Sequence, residues 1–539
     1  MLSRAFLKAG HTPTLASAFL YFDLSFMVWV MLGPLGVAIA QDLGLNPAQK
    51  GFMVAIPTLS GALLRVVAGL LVDRIGAKIT GILLQLIVLG GLGAAWYLGV
   101  HSLDQVFALG VLLGVAGASF AVALPLASRW YPPEYQGLAL GIAGAGNSGT
   151  ALAALFAPAL AQTFGWNNVI GLAALPLSVA FLVFVFCAKE APGKPAPKPL
   201  SAYFDVLKTA DAWWLMLLYS VTFGGFVGLS SSLTIYFNSE YGLTPVNAGF
   251  LTAACVFAGS FARPFGGFLA DRFGGVRALT MVYALAAIGL TLASILWPSL
   301  AIAFAIILFS MIALGAGNGA VFQLAPLRFP KEIGVVTGLI GMMGGIGGFY
   351  LASTLGLSKQ ISGSYQFGFL GFAALALFAG HQGRTMKLEV ICPARFLRHD
   401  LVRKACSFSG SSAPLFLQLV AQRGELGEGR IRVEALGALL ARLLGRPRLA
   451  ALATIAALVT IVATIATVVP ARAFAAFVAA VLVVAGLAEL ALEALLAAFG
   501  RPLGPALGGR AIRTGLLRAA ILRPVLPEFR AAVAAFLLA

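Results

Sequence analysis

Long apolar stretches separated by short polar segments fill the first 381 residues of the chain. A run of about 20 apolar residues is long enough to cross a lipid bilayer as one helix. We therefore predict an all-α polytopic membrane protein with twelve transmembrane helices. The predicted spans lie near residues 15–40, 48–72, 79–100, 104–127, 137–160 and 167–188 and, after the linker KEAPGKPAPKPL (189–200), near 212–237, 245–270, 277–297, 299–324, 333–357 and 365–381.

The second and eighth predicted spans carry the same pattern 198 positions apart. Residues 59–78 have the sequence LSGALLRVVAGLLVDRIGAK, and residues 257–277 have the sequence FAGSFARPFGGFLADRFGGVR. Each copy places one arginine, Arg65 or Arg263, eight residues before an Asp-Arg pair. Because six spans separate equivalent points, both halves begin on the same side of the membrane. We predict a parallel repeat of two six-helix halves.

The two repeated arginines predict a binding site. Eight helical residues rise about 12 Å, so Arg65 and Arg263 lie well inside the membrane. A charge at that depth is costly and marks a candidate functional site. Arginine keeps its charge and offers a planar fork of donors, which suits a planar oxyanion. We expect an anion site between the two halves.

Composition and charge agree with a membrane protein and set its orientation. Of the 539 residues, 60% are hydrophobic and 10% charged, with mean hydropathy +0.96 and net charge +17. The cations flank the spans, so we attribute the charge to topology and predict no nucleic-acid partner. The first apolar run is long enough to span, so we interpret it as a helix and not as a removed signal peptide. Lys50 and Lys359 lie in odd-numbered loops, whereas the amino-terminal segment and the even-numbered loops contain Arg4, Lys8, Arg74, Lys78, Arg129, Lys189, Lys194, Lys198, Lys208, Arg272, Arg277, Arg328 and Lys331.

This distribution places both ends of the twelve-span unit in the cytoplasm and the protein in the cytoplasmic membrane. We divide the chain into a first half (1–188), a cytoplasmic linker (189–211), a second half (212–381) and an extension (382–539). No Walker loop, nucleophile–base set or metal-ligand cluster is present in the sequence, so we predict no enzyme, cofactor or metal. The cysteines form no C-x-x-C pair and support neither a disulfide nor a zinc site.

Two glycine-rich spans occupy matching places in the two halves. The fifth contains GIAGAGNSGTALAALFAPAL (141–160), and the eleventh contains GLIGMMGGIGGFYLASTLG (338–356). Small residues let helices approach closely, and packing alone explains most of these glycines. Asn147 is different, because its amide in a glycine face is able either to reach a ligand or to join neighbouring helices by hydrogen bonds. Both interpretations stay open.

These motifs together resemble the nitrate/nitrite porter family of the major facilitator superfamily over about residues 10–381. The loop form G-x-x-x-D-R-x-G at 69–76 and 267–274 is typical of the superfamily, while the two glycine-rich helices and the opening FLYFDLSFMVW are closer to the nitrate porters. The resemblance implies the major facilitator fold and secondary transport of nitrate and nitrite, with the membrane lipids as surroundings and a monomer as the functional unit.

The resemblance also implies roles for individual residues. Arg65 and Arg263 would hold the anion between them. Four further residues would line the pocket around the anion. A polar stretch of the tenth helix also resembles the corresponding stretch of the family. The pocket-lining residues are Asn147, Tyr219, Phe223 and Phe120, and the tenth-helix pair is Asn318 and Gln323. Two guanidinium groups are able to grip planar nitrate while aromatic rings confine its faces and the amide and phenol donate hydrogen bonds. Apart from the resemblance, ordinary packing explains these aromatic residues equally well.

Rocking of the two halves around the site would give alternating access. The Asp-Arg loops, with Asp73 and Arg74 in one half and Asp271 and Arg272 in the other, would then hold the halves together at the cytoplasmic side. Asp23, an acid inside the first span, is a candidate proton carrier; alternatively it pairs with an arginine or caps local structure. We favour nitrate/nitrite antiport over nitrate/proton symport.

Residues 382–539 do not match the family. This extension contains no Trp, Tyr or Asn and is rich in Ala, Leu and Arg. Two apolar stretches, 449–469 and 473–488, predict one or two further spans, and the arginines near the end suit anionic lipid headgroups. A frameshifted translation of GC-rich DNA produces such a composition too, so we assign this extension no function.

Two other functions remain as alternatives. One is a major facilitator carrier of another small anion or organic acid, which the paired arginines alone allow. The other is a membrane scaffold or sensor that signals through the C-terminal extension.

Overall fold

The computed structural model describes residues 4–191, 205–329 and 333–385. Within them, all regular elements are α-helices except for one short 3₁₀ turn. Residues 192–204 of the predicted linker lie outside the described residues. The extension lies outside them beyond Thr385, and so do its one or two predicted spans.

Four of the six predicted spans of the first half are built from two helical pieces. A 3₁₀ turn, Ala145–Ser148, interrupts the fifth span. The breaks in the first, fourth and fifth spans place irregular backbone at mid-membrane depth, which is tolerated where protein surrounds it. The helices are α1 (Arg4–Ala9), α2 (Thr12–Trp29), α3 (Gly36–Asp42), α4 (Pro47–Ile75), α5 (Ala77–Leu98), α6 (Leu103–Gly117), α7 (Phe120–Ser128), α8 (Pro133–Gly144), α9 (Gly149–Phe164), α10 (Trp166–Leu172) and α11 (Ala174–Cys187).

The second half uses continuous helices for its spans. They are α12 (Ala210–Tyr241), α13 (Pro245–Phe273), α14 (Gly275–Ala293), α15 (Leu300–Arg328), α16 (Ile333–Ser362) and α17 (Gln366–Thr385). Across the described residues, ten helical segments are long and apolar enough to cross a membrane. The other two predicted spans correspond to α2 with α3, which are separated by a break, and to α17, whose apolar part is Gln366–His381. The twelve predicted spans thus each correspond to a helix or a helix pair.

The repeat is visible in how α4 and α13 begin and end. Asn46 and Thr244 each accept a hydrogen bond from the backbone N–H three residues later, and a proline follows each cap. Such caps satisfy the free donors of a helix start. The helices end at Gly76 and Gly274, with φ of 97° and 89°. Only glycine adopts this backbone conformation without strain, which explains the turn glycine of the repeated motif.

The two halves meet mainly where α4 packs along α16 and α9 packs along α13. We call the bundle end that carries Asp73 and Asp271 the Asp73 end, and the opposite one the Lys50 end. At the Lys50 end, a methyl group on Gly51 would lie 2.8 Å from the Gly356 Cα. Of the α4 residues, 51–58 are all buried, whereas beyond Arg65 only Ala68 and Val72 are. The halves are therefore tightly sealed at the Lys50 end.

Three close contacts between the halves form this seal, which we call the glycine seam. It consists of the pairs Gly51–Gly356, Gly33–Ser231 and Gly249–Ala154. In the last two, a Cβ on the glycine would overlap the partner's backbone carbonyl. Each pair brings backbone against backbone, as small residues permit in helix packing.

Candidate functional site

Arg65 lies in the middle of α4 with none of its surface exposed. Its Nε donates to the carbonyl of Gly117 in α6 at 3.1 Å. Its Nη1 donates to the carbonyl of Gly341 in α16 at 2.6 Å, which crosses from the first half to the second. Its Nη2 has no hydrogen-bond partner among the described residues. Backbone carbonyls therefore hold this charge in place and leave one donor nitrogen for another group.

Aromatic rings surround the same guanidinium. The Arg65 Cζ lies 5.0 Å from the ring centre of Phe120 and 5.1 Å from those of Trp29 and Phe223. The Phe26 ring follows at 5.9 Å. Rings at these distances attract a cation through their negative faces, and the attraction is strongest away from water. They partly compensate for the cost of burying the charge.

Arg263 has reciprocal contacts in the other half. It is 6% exposed, in the middle of α13. Its Nη1 donates to the carbonyl of Gly144 in α8 at 3.3 Å, and its Cζ lies 5.6 Å from the ring centre of Phe322. Each arginine thus reaches a glycine carbonyl in the glycine-rich span of the opposite half. A hypothetical Cβ on Gly144 would lie 3.4 Å from the Arg263 Cζ, so the glycine leaves room for the guanidinium.

A wall of stacked rings from both halves connects the two arginines. Tyr219 and Phe223 of α12 stack at 5.0 Å, and the Tyr219 ring meets Phe322 of α15 edge-on at 4.9 Å. Phe322 also lies 5.8 Å from Phe120 of α7. The Tyr219 hydroxyl interacts electrostatically with both guanidinium groups, yet forms no hydrogen bond of ordinary geometry with a described residue. These rings form an apolar cage with a phenol group facing two positive charges.

Buried amides add polar groups close to this cage. Asn147 lies on the 3₁₀ turn, three residues after Gly144, and is fully buried. Neither atom of its side-chain amide has a hydrogen-bond partner among the described residues, and the same is true of Asn318 in α15. Leaving a buried polar group unpaired costs about 1–3 kcal/mol. Such groups are suited to bind a polar ligand.

Direct contacts link most of the sequence-predicted residues. Arg65, Arg263, Phe120, Tyr219 and Phe223 form one cluster, and Asn147 lies on the segment that Arg263 contacts. Gln323 lies elsewhere, because its side chain faces Gly275 of α14.

Sequence reasoning missed three members of the cluster, Phe26, Trp29 and Phe322. Trp29 ends the FLYFDLSFMVW motif, and its indole Nε1 donates to the Pro57 carbonyl at 2.7 Å, which fixes the ring against α4. Phe322 directly precedes Gln323 in the polar stretch of the tenth span. The signal that could have identified these residues is that they lie within the first-span motif and the polar stretch of the tenth span, both of which resemble the family.

The predicted gating residues lie at the Asp73 end. An Arg129 Nη2 lies 3.4 Å from the Asp73 carboxylate, so this ion pair joins α4 to the end of α7 within the first half. Asp271 and Arg272 are exposed, and Asp271 forms no ion pair with the residues that the structure describes. Arg74 is exposed as well. The predicted contact between the halves at these loops stays a prediction.

Asp23 is 7% exposed and lies in α2 beside the 3₁₀ turn of the fifth span. The Ser148 hydroxyl donates to its Oδ1 at 2.7 Å. No arginine in the described part of the chain forms an ion pair with it. Of the three interpretations made from the sequence, capping of local structure agrees best with these contacts.

Comparison with known proteins identifies the family. A family model described as Major Facilitator Superfamily matches residues 18–352. The chain belongs to the major facilitator superfamily. The structure is also similar to a solved structure, that of a bacterial homologue of the human lysosomal transporter Spinster in an inward-facing and occupied conformation. The two superpose with a TM-score of 0.55 at 18% sequence identity, and the match covers 71% of this chain and 97% of the homologue. The predicted all-helical major facilitator fold is confirmed.

Several relatives within the superfamily carry names from nitrate and nitrite transport. The "Nitrite extrusion protein" of Bacillus subtilis is 34% identical over 65% of this chain and 88% of its own length. The "Probable nitrate/nitrite transporter NarK2" of Mycobacterium tuberculosis is 33% identical over 69% and 95%. The "Probable nitrate/nitrite antiporter NarK1" of Thermus thermophilus is 31% identical over 69% and 90%. The predicted resemblance to the nitrate/nitrite porters is confirmed, and so is the prediction of a multi-pass transporter in place of an enzyme.

Proposed function

We propose that this major facilitator is a secondary transporter of nitrate and nitrite that holds the anion between Arg65 and Arg263. The observation that carries the proposal is the pair of buried guanidinium groups, one from each half, beside donors without partners. The names of the relatives support the same substrates.

The chemistry of the cage favours a small planar monovalent anion. Two guanidinium groups supply positive charge and coplanar donors, which match a planar group of oxygens. The Tyr219 hydroxyl and the Asn147 amide add neutral donors. The rings of Phe120, Phe223 and Tyr219 surround the guanidinium groups with apolar surface, which suits a thin, weakly hydrated anion better than a tetrahedral, strongly hydrated one.

The arginine contacts suggest how binding is coupled to movement. Arg65 Nη1 and Arg263 Nη1 each bind a carbonyl of the opposite half. An anion between the arginines competes with these carbonyls for the same donors, and it also screens the two positive charges from each other. Binding therefore changes how strongly the halves are connected, and rocking of the halves moves the site from one face to the other.

The orientation follows from the cation distribution. The Asp73 end carries most of the loop cations, so it faces the cytoplasm, and the glycine seam closes the outer face. We place the protein in the cytoplasmic membrane as a monomer with its N-terminus inside.

For coupling, we favour exchange of nitrate for nitrite over proton symport. Arginine keeps its proton in proteins, and the other cluster donors are neutral, so an exchanger needs nothing further. An unloaded carrier would have to return with two like charges facing each other, and that repulsion disfavours uncoupled return. A symporter needs a proton carrier. Among the residues that the structure describes, Asp23 is the acidic residue buried within a span.

Counterflow in proteoliposomes tests the transport activity. Vesicles loaded with nitrite or nitrate should accumulate labelled external nitrate, and an imposed pH gradient should add little. Competition by nitrite but not by formate, chloride or chlorate supports the assigned substrates. Stronger competition by one of those three would favour a carrier of another small anion, and absence of any transport would favour a scaffold or sensor.

The variant Asp23→Asn separates the two coupling modes. If the protein is a nitrate/nitrite exchanger, the Asp23→Asn variant should still catalyse counterflow, and a pH gradient should still have little effect on it. Robust proton-driven net uptake by the wild type that disappears in Asp23→Asn, while exchange remains, would establish symport with Asp23 as the proton carrier.

A further inference from the structure

A 3₁₀ turn separates the two α-helices of the fifth span, α8 and α9. A 3₁₀ segment inside a longer helix has poorer hydrogen-bond geometry than the α-helix around it, and it often marks a functional position. This turn, Ala145–Ser148, carries Asn147 with its unpaired amide. Gly144, whose carbonyl binds Arg263, directly precedes it. The conformation of the turn therefore sets the position of two site groups.

Asp23 contacts this turn with its side chain. Ser148 donates its hydroxyl hydrogen to Asp23 Oδ1 at 2.7 Å, and the backbone N–H of Gly149 also interacts with the carboxylate. Hydrogen bonds to a carboxylate are roughly twice as strong as those between neutral groups. The carboxylate thus binds the residue that follows Asn147 and the first residue of α9.

The backbone of α2 also lies directly against the turn. A methyl group on Gly149 would overlap the Asp23 carbonyl, and one on Gly146 would lie 2.6 Å from the Phe22 ring and 3.1 Å from the Asp23 nitrogen. α13, which carries Arg263, also packs against the turn. The turn thus contacts both α2 and α13, and Asn147 is one of its four residues.

We propose that Asp23 is a positioning residue: its carboxylate, through Ser148, fixes the 3₁₀ turn so that the Asn147 amide faces the anion held by Arg65 and Arg263. This role rests on the proposed transport function. It requires a hydrogen-bond acceptor at position 23 and does not require the residue to carry a proton.

Three variants test the role by their KM for nitrate in counterflow. Asp23→Leu and Ser148→Ala remove opposite sides of the contact, and each should raise KM about 10-fold, as expected for loss of a hydrogen bond to a charged group. The maximal rate should change less than twofold. Asp23→Asn keeps an acceptor oxygen for the Ser148 hydroxyl, so KM should return to within about threefold of the wild type.

A double-mutant cycle isolates the contact. Because both single variants remove the same hydrogen bond, Asp23→Leu combined with Ser148→Ala should raise KM no more than either variant alone. Ser353→Ala is the matched control, since that buried hydroxyl bonds only to carbonyls of its own helix, α16. Its KM should equal that of the wild type.

The outcomes separate the two claims. Ser148→Ala keeps the test valid even if Asp23→Leu fails to fold. An unchanged KM in Ser148→Ala, or failure of Asp23→Asn to restore KM in a folded protein, would overturn the positioning role while leaving nitrate transport intact. Absence of nitrate transport by the wild type would overturn the proposed function and, with it, this role.

Discussion

The two repeat-related arginines occupy equivalent places in their halves but have unequal surroundings. Arg65 is fully enclosed, donates to carbonyls of α6 and α16, and lies among four rings. Arg263 is slightly exposed, donates to one carbonyl at the longer distance of 3.3 Å, and lies over the ring of Phe322. The sequence repeat is symmetric, whereas the environment that it creates is not.

This difference indicates a division of roles. Moving Arg65 would break a 2.6 Å hydrogen bond and several ring contacts together, so we predict that its guanidinium is the more fixed member of the pair. Arg263 has fewer and weaker contacts to lose, so we predict that its guanidinium is the one that adjusts when the proposed anion binds. The following predictions test or refine this comparison.

The largest expected effect comes from replacing either arginine by lysine. Lysine keeps the charge but is a single-point donor without the planar fork. With charge-assisted hydrogen bonds worth about 1.5–3 kcal/mol each, we expect Arg65→Lys and Arg263→Lys each to nearly abolish nitrate counterflow. Arg65→Lys should also lower the melting temperature more, because Arg65 joins three helices.

Arg277→Lys, at an exposed position of α14, is the control and should transport normally. Near wild-type rates in both site variants would refute the two-arginine clamp. Equal losses of melting temperature would instead remove the distinction between a fixed and an adjustable arginine.

A smaller effect is expected from the rings. Phe322→Leu removes the ring that covers Arg263, and a desolvated cation–π contact is worth about 2 kcal/mol, so KM for nitrate should rise about 30-fold. Phe26→Leu removes the most distant of the four rings around Arg65 and should change KM less than about twofold. A larger change for Phe26→Leu than for Phe322→Leu would contradict the comparison.

Alanine variants of the two glycines whose carbonyls accept hydrogen bonds from the arginines should have smaller effects on transport. A Cβ on Gly341 would lie 3.3 Å from the Phe120 ring, which packs on Arg65 and would have to shift slightly, and at an ordinary contact distance of 3.7 Å from the Arg65 Cδ. A Cβ on Gly144 would meet only the adjustable guanidinium of Arg263, at 3.4 Å. We expect Gly341→Ala to lower the transport rate about threefold and Gly144→Ala less, because tight packing makes rigid sites intolerant of added volume. The reverse order in counterflow would argue against Arg65 as the fixed member.

The smallest effect should follow from removing the C-terminal extension. A chain that ends after Thr385 keeps every candidate site residue, since all of them precede position 330. Nitrate counterflow and both arginine phenotypes should be unchanged in it. If a folded and inserted truncated protein no longer transports nitrate, the extension belongs to the mechanism.

Sequence patterns could predict the spans because bilayer thickness sets their length, and could predict the arginines because a buried charge is conspicuous among apolar residues. The breaks in the first-half helices were not predicted, because the long apolar run outweighed the Gly-Pro pair at residues 33 and 34, although such a pair is a known signal for a break. Phe322 was missed because a phenylalanine in an apolar helix looks like packing until its neighbours are known. The carbonyls of Gly144 and Gly341 have no side-chain signal, so their pairing with arginines of the opposite half required the three-dimensional arrangement.

The glycine seam has a consequence for the transport cycle. Its pairs, such as Gly51 with Gly356, bring backbone against backbone, and the glycines contribute no side chain to the contact. Separating them therefore forfeits mainly short-range dispersion contacts, and arriving water molecules solvate the exposed backbone carbonyls. We therefore expect the glycine contacts of the seam to open and reseal without any side-chain rearrangement at the glycines, as the proposed transport cycle requires.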